Sequence, residues 1–276
     1  MTGKTMADAA PRSRGHLNPG DPRAVFDRFT LPSALDELVR HVWVVRWDVP
    51  KGDTVDQRVL TYPAFNVVVE GAARDAMTGG LFPPTGRVSV RRLEGRGWAV
   101  GVLLRPSAGR ILLDGHGVLP RAVPAEGVPL EDAPVERIAD AMAQRSREPL
   151  VQALTNWLLP YAECVGERDR LVDEACRLAE MEASINRASE LAARLEVAPR
   201  TLERTVREYL GLGPKWLIEC RRLQAAAVTL YQEPETDLSA LAAQLGYTDY
   251  AHFSRRYSTV LGETPNATRR AGSAGK

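Results

Sequence analysis

Apolar positions in the C-terminal third of the chain recur at helical spacing, and they do so twice. In the stretch Ala188 to Pro214, Leu191 and Leu195 stand at i and i+4, and Ala192 and Ala193 are small enough to let a second helix cross closely. After a tight connection, Leu202, Val206, Tyr209 and Leu210 follow at i, i+4, i+7 and i+8 as the inner stripe of that second helix. The stretch Leu238 to Pro265 repeats the pattern about 50 residues later with Phe253, Tyr257, Val260 and Leu261, and both copies end in Gly-x-x-Pro. Between them, Trp216, Leu217, Leu223, Ala226, Ala227 and Leu230 predict one helix over Lys215 to Gln232, opened after Pro214 and stopped at Glu233-Pro234. About 18 residues of helix span about 27 Å, near the roughly 34 Å between successive major grooves on one side of a DNA duplex.

The pattern is different upstream. From Phe26 to Gly127 the chain is rich in Val, aromatics, Gly and Pro, and the runs Val42 to Trp47, Phe65 to Glu70, Arg87 to Leu93 and Trp98 to Leu104 read as strands. From Pro134 to Met181 helical period returns through Ile138, Met142, Leu150, Leu154, Leu158, Leu171, Ala175 and Leu178. The expected fold class is α+β: a mostly β N-terminal domain (a barrel or cupin-like sandwich), linker helices, and an all-α double helix-turn-helix. The expected boundaries are 1–24 for a disordered tail, 25–132 for the β domain, 133–180 for the helical linker, 181–270 for the helix-turn-helix pair and 271–276 for a second tail.

The polar faces carry the chemistry. Arg200, Arg204 and Arg207 fall within roughly 60° of one another opposite the first stripe. The same positions of the second copy hold Ala251, Arg255 and Ser258, flanked by His252 and Ser254. Arg can pair bidentately with guanine, Ser can bond to several bases, and Ala can touch a thymine methyl. One amphipathic helix of this kind reads as solvated scaffold. Two copies that share the small-residue helix, the connection and the terminal Gly-x-x-Pro point to a pair of units that read duplex DNA.

From Ala188 to Arg269 the chain resembles the AraC/XylS transcription regulators. The resemblance is carried by Leu191-Ala192, Leu195, Pro199-Arg200-Thr201-Leu202-x-Arg204, Gly211-x-x-Pro214, Arg222-Leu223 with Ala225-Ala226, Leu245-Gly246-Tyr247, His252-Phe253-Ser254-Arg255-Arg256-Tyr257 and Gly262-x-Thr264-Pro265. It implies base reading by Arg200, Glu203 and Arg204 in the first unit and by Tyr250, Ala251, Ser254 and Arg255 in the second, with Thr201 and His252 also in the DNA-binding set. Phosphate contacts would come from helix N-termini and from Arg207, Lys215 and Arg256. The chain departs from the family pattern at Val206, where an aromatic is usual, at Glu203, and at Thr268-Arg269, where the family has an aromatic-Arg pair. Glu203 could accept from a cytosine amino group or pair with Arg207 at i+4.

The N-terminal part is similar to sensor domains that precede such units in bacteria, through His41-Val42-Trp43, Tyr62-Pro63-Ala64-Phe65-Asn66, Gly101 to Pro106 and Val128-Pro129-Leu130. That resemblance implies a domain that senses an effector or contacts a protein. Trp43, Phe65, Trp98 and Arg105 are the candidates to line a pocket, against a plain reading of the aromatics as core and of Arg105 as closing a strand end. Family habit further implies a homodimer and contact with RNA polymerase.

Charge and composition narrow the picture. With 36 Lys plus Arg against 35 Asp plus Glu the chain is nearly neutral, and residues 181–276 hold 13 basic and 11 acidic side chains, so any positive patch is local to the recognition faces. Cys164, Cys176 and Cys220 lack Cys-x-x-Cys spacing, and His41, His116 and His252 are scattered, so neither a metal nor a disulfide framework is indicated. No phosphate loop, nucleophile elbow or carboxylate pair suggests an enzyme or a cofactor. No apolar h-region or membrane-length run occurs, which favours a cytoplasmic protein. The reading is a sequence-specific regulator whose N-terminal domain responds to an effector or partner. Two rivals stand beside it: a DNA-targeted enzyme with a catalytic β domain, and a regulator whose N-terminal half is a protein-interaction module without a ligand.

Overall fold

The computed structural model describes residues 23–59, 62–72, 78–115, 117 and 123–274; most of the expected N-terminal tail, and His116, lie outside them. Six antiparallel strands form one sheet in the order β1 (Ala24–Phe29), β2 (Val39–Asp48), β7 (Arg96–Leu104), β4 (Asn66–Ala72), β5 (Thr78–Phe82) and β8 (Val128–Pro129). β3 (Val55–Val59) and β6 (Ser89–Leu93) make a separate two-stranded ribbon. The fold is α+β as expected, and the sheet is open: β1 and β8 are its edges, so it does not close as a barrel would. The four expected runs coincide with β2, β4, β6 and β7. β5 was hidden because Thr78-Gly79-Gly80 has the composition of a turn. Gly79 is there for space, since a Cβ would lie 2.9 Å from Val135 Cγ2.

Alternation along the strands gives the sheet two apolar faces. Val42, Val44, Val67, Val69, Val100 and Val102 point into the main core, which α1 (Ala108–Gly115), α2 (Val135–Gln144) and α3 (Arg147–Ala162) help to build. Val45, Trp47 and Ala99 face the other way and meet Val55 and Leu93 of the ribbon. The register puts Trp43 opposite Gly101, Trp47 opposite Gly97 and Gly71 opposite Trp98. In each pair the indole lies over the glycine: a Cβ on Gly101 would come within 1.9 Å of the Trp43 ring, on Gly97 within 2.3 Å of Trp47, and on Gly71 within 2.7 Å of Trp98. The absence of a side chain at these glycines is therefore a packing requirement.

Helices continue from there. α4 (Glu167–Met181), α5 (Ala188–Arg194), α6 (Pro199–Leu210) and the first half of α7 (Pro214–Gln232) build one small core around Val172, Cys176, Leu191, Leu202, Val206, Leu217 and Ile218. The second half of α7, α8 (Leu238–Gln244) and α9 (Tyr250–Leu261) build another around Leu223, Leu230, Leu241, Phe253 and Tyr257. α10 (Pro265–Ala274) packs on α7 and runs into the segment expected as a tail. The helices expected as a linker are thus shared out, with α2 and α3 on the sheet and α4 in the first helical core.

α4 is also the strut to the β domain. Its Glu180 takes a bidentate ion pair from Arg40 (2.9 Å) and a hydrogen bond from the Tyr62 hydroxyl (2.6 Å). Its Arg170 pairs with Glu37 at 2.7 Å. Its Asp173 accepts from the Ser107 backbone N–H (2.8 Å) and from Ser107 Oγ (2.9 Å), just before α1. Burial pushes Asp173 up to about 6, against the opposing pull of those two bonds and of Arg105.

Two outcomes follow from this packing. Gly101→Ala should cost about 3 kcal/mol or more in chemical denaturation, the upper end for overpacking, and combining it with Trp43→Ala should recover part of the loss; additive losses would contradict the indole-over-glycine account. The raised Asp173 pKa means the folded state binds that proton more tightly than the unfolded chain does. Its contribution is therefore full below about pH 4 and lost as pH rises through about 6. Asp173→Asn, whose Oδ1 can still accept from the Ser107 N–H and whose Nδ2 can donate to Ser107 Oγ with that hydroxyl reversed, should be more stable than wild type at pH 7 by up to about 3 kcal/mol and no different at pH 4.

Candidate nucleic-acid interface

The two helix pairs are built by the same local rules with different residues. Glu190 accepts from the Asn186 (2.7 Å) and Arg187 (3.1 Å) N–H groups ahead of α5. At α8, Asp237 accepts from Ser239 (2.7 Å) and Ala240 (2.8 Å). α9 is capped by Asp249, which accepts from the His252 N–H at 2.7 Å, whereas Ala198 before α6 has no capping side chain and Pro199 opens that helix. Gly211 (φ 70°) and Gly262 (φ 72°) end α6 and α9 in the left-handed conformation, and Pro214 and Pro265 open the next helices. That is the physical content of the repeated Gly-x-x-Pro. The turn inside each unit also needs a left-handed residue, supplied by Glu196 (φ 56°) in the first and Gly246 (φ 72°) in the second. The connection from Leu245 to Asp249 is one residue longer than that from Leu195 to Ala198.

The expected stripes are all buried: Leu202, Val206, Tyr209 and Leu210 on α6, and Phe253, Tyr257, Val260 and Leu261 on α9. Val206 and Tyr257 occupy equivalent places. The larger Tyr257 carries its hydroxyl to Thr268 Oγ1 (2.7 Å), and the Thr268 hydroxyl in turn donates to Glu263 (2.5 Å), so Thr268 closes a buried polar contact.

On the outer faces, Arg200, Arg204, Ala251, His252 and Arg255 are exposed, and Thr201, Glu203, Tyr250 and Ser254 are half-buried. Among the described residues the guanidinium groups of Arg200, Arg204 and Arg255 have no ion-pair partner. Arg207 is exposed and donates from Nε to Glu203 at 2.7 Å, the i+4 pairing foreseen as one of two roles for that glutamate. Lys215 is exposed at the start of α7.

Arg256 sits differently from the rest. It turns away from the outer face and grips Glu219 of α7 with two bonds, the longer 2.6 Å, beside Arg222, whose guanidinium stacks 5.1 Å from the Tyr247 ring centre. The signal was present in the repeat: Arg256 is equivalent to Thr205, which is buried next to the stripe. Sequence reasoning missed Glu219 because it lies on α7, outside both copies.

The β-domain candidates are distributed rather than gathered. Phe65 is fully buried in the main core over Gly109, and Trp98 borders that core. Trp43 packs with the opposite face and donates from Nε1 to Asn66 Oδ1 at 3.3 Å. Arg105 donates from Nε to the Asp36 carbonyl at 2.8 Å. His41 is buried, its Nδ1 has no hydrogen-bond partner, and burial with the nearby Arg28 and Arg40 brings its pKa down to about 4. Cys176 and Cys220 are buried thiols held protonated by that burial, Cys220 pushed up to about 12. Among the described residues there is no group of three or more His, Cys, Asp or Glu placed to hold a metal ion, and no helix is long and apolar enough to cross a membrane.

Comparison with known proteins gives two family matches. Residues 191–271 match a helix-turn-helix domain, and residues 28–116 match a domain of unknown function (DUF6597). Among curated protein sequences, none matches the chain. Similar solved structures include the C-terminal domain of AraT, a response regulator from Geobacillus stearothermophilus, at 25% identity over 38% of this chain and 88% of that one, with a TM-score of 0.33. ToxT from Vibrio cholerae O395 is 13% identical over 91% of this chain and 98% of its own, with a TM-score of 0.40. Both scores are below 0.5, so the assignment of the C-terminal domain rests on the match over residues 191–271 and on the paired geometry above.

The two turns make a direct comparison. Glu196→Gly should raise stability by about 0.5 to 1 kcal/mol, because glycine adopts the left-handed conformation without the Cβ penalty, whereas Gly246→Ala should lower it by more than about 1 kcal/mol. A Cβ at Gly246 would also stand 3.1 Å from Arg222. Loss of stability in Glu196→Gly, read by thermal unfolding, would contradict the strain assigned to that turn.

Proposed function

We propose that the chain, whose residues 191–271 match a helix-turn-helix domain, is a transcription regulator of the AraC type that reads two successive major grooves with α6 and α9, one groove per unit. The observation that carries this is the pair of exposed, unpaired guanidinium faces, Arg200 with Arg204 and Arg255 with its neighbours, mounted on opposite halves of one 19-residue helix. At 1.5 Å per residue α7 is about 28 Å long, which suits two recognition helices set about one helical turn of DNA apart.

Arg200, Arg204 and Arg255 read base edges. Tyr250, Ala251, His252, Ser254 and Thr201 shape the surface around them. Arg207 and Lys215 supply phosphate contacts, with Arg207 exchanging its exposed pair to Glu203, worth little in water, for a phosphate oxygen. Arg256 acts through Glu219 as a positioning residue that ties α9 to α7. A signal at the β domain, whether a small molecule or a protein partner, shifts the population of the DNA-competent arrangement through the α4 strut, to the extent that it binds the two arrangements unequally.

Selection of bound sequences from a random duplex pool by the full chain should return a bipartite motif. Arg204→Ala and Arg255→Ala should each cost about 1 to 3 kcal/mol and relax preference in one half only, a different half for each. Equal loss in both halves, or unchanged preference, would remove these residues from the reading set.

A further inference from the structure

The two helix-turn-helix units are separate apolar bodies. Leu217 and Ile218 of α7 belong to the first core and Leu223, Ala226, Ala227 and Leu230 to the second, and between them α7 carries Glu219, Cys220, Arg221 and Arg222. The helix that joins the units therefore passes between the two cores through a polar waist, tied there by Arg221 to the Glu182 and Ile185 carbonyls on the first side and by the Glu219 to Arg256 pair and the stacking of Arg222 on Tyr247 on the second.

The β domain touches both bodies from outside. On the first, Arg110 of α1 donates to one carboxylate oxygen of Glu208 on α6, whose other oxygen is held from within the same body by Arg168 of α4 at 2.6 Å. The same two guanidinium groups stack on the ring of Tyr209, at 4.8 and 5.7 Å from its centre. On the second, the Val88 backbone N–H donates to the Val260 carbonyl at 2.8 Å, and the Val88 side chain packs against the second core. Val260 lies in the last turn of α9, where carbonyls have no partner within the helix. In the same β-domain segment, Gly86 faces Trp216 near the start of α7, with a Cβ position 3.6 Å from the indole Nε1.

We infer that the β domain is a bracket across the two recognition helices, and that the contacts of Arg110 with Glu208 and of Val88 with Val260 determine which separation of half-sites the protein accepts. This rests on the two-groove reading above and adds a specificity determinant that touches no base. A rigid bracket fixes both the distance and the angle between α6 and α9. One base pair added to or removed from the spacer moves the second half-site by about 3.4 Å and rotates it by about 35°, which a fixed pair of helices cannot follow. With the bracket released, bending at the waist of α7 lets the second unit follow the displaced half-site.

The test uses the full chain and the duplex returned by selection, with the spacer between its halves lengthened and shortened by one and two base pairs. Wild type should lose about tenfold or more in affinity at each single-base-pair change. Glu208→Gln, Arg110→Gln and Val88→Pro should each flatten that profile to within about threefold while still binding the optimal duplex. Arg110→Gln leaves both recognition helices untouched and so stands if Val88→Pro is poorly folded, which circular dichroism reports. Spacer profiles unchanged in Arg110→Gln and Glu208→Gln would overturn the bracket while leaving the two-groove reading intact. Wild type that binds one half-site as tightly as two would instead overturn that reading, and the bracket with it.

Discussion

One helix is shared between two hydrophobic cores, and the arrangement of the C-terminal half depends on that division. α7 gives Leu217 and Ile218 to one side and Leu223, Ala226, Ala227 and Leu230 to the other. Neither helix pair could bury its stripe alone, because α5 with α6 and α8 with α9 are short and each offers a single apolar face. Each borrows half of α7 as a third wall. The functional consequence is geometric: the faces left over after burial are carried on opposite halves of that helix.

The near-neutral charge of the chain acquires a structural meaning from where the arginines stand. Arg40, Arg110, Arg168, Arg170 and Arg256 are committed to carboxylates that join one element to another, and Arg221 donates to the carbonyls of Glu182 and Ile185. Among the described residues Arg200, Arg204 and Arg255, on the outer faces of α6 and α9, are in no ion pair. The ion pairs through α4 and Glu208 also tie the β domain to α6.

The helical half was legible in the sequence because period 3.6 leaves a readable stripe, and every residue assigned to the stripes of α6 and α9 is buried. The β half was legible only where strands are rich in Val and Trp. β5 contains Gly79 and Gly80 because Val135 and neighbouring atoms fill the space a side chain would need, and composition alone turns that requirement into an apparent turn. The pairing of Trp43 with Gly101 was invisible for a related reason: the two residues lie far apart in the chain and meet only through the register of β2 with β7. At the interface, the exposed positions of Arg200, Arg204 and Arg255 follow from helical spacing, whereas the turning of Arg256 toward Glu219 depends on α7. Helical period places a side chain on a face. It does not say which neighbouring element has already claimed that side chain.

The most direct test of two units reading two grooves is hydroxyl-radical footprinting of the full chain on a duplex that it selects. The account predicts two protected patches on the same side of the DNA, about ten base pairs apart from centre to centre. A single patch the width of one recognition helix, or uniform protection around the duplex, would contradict it.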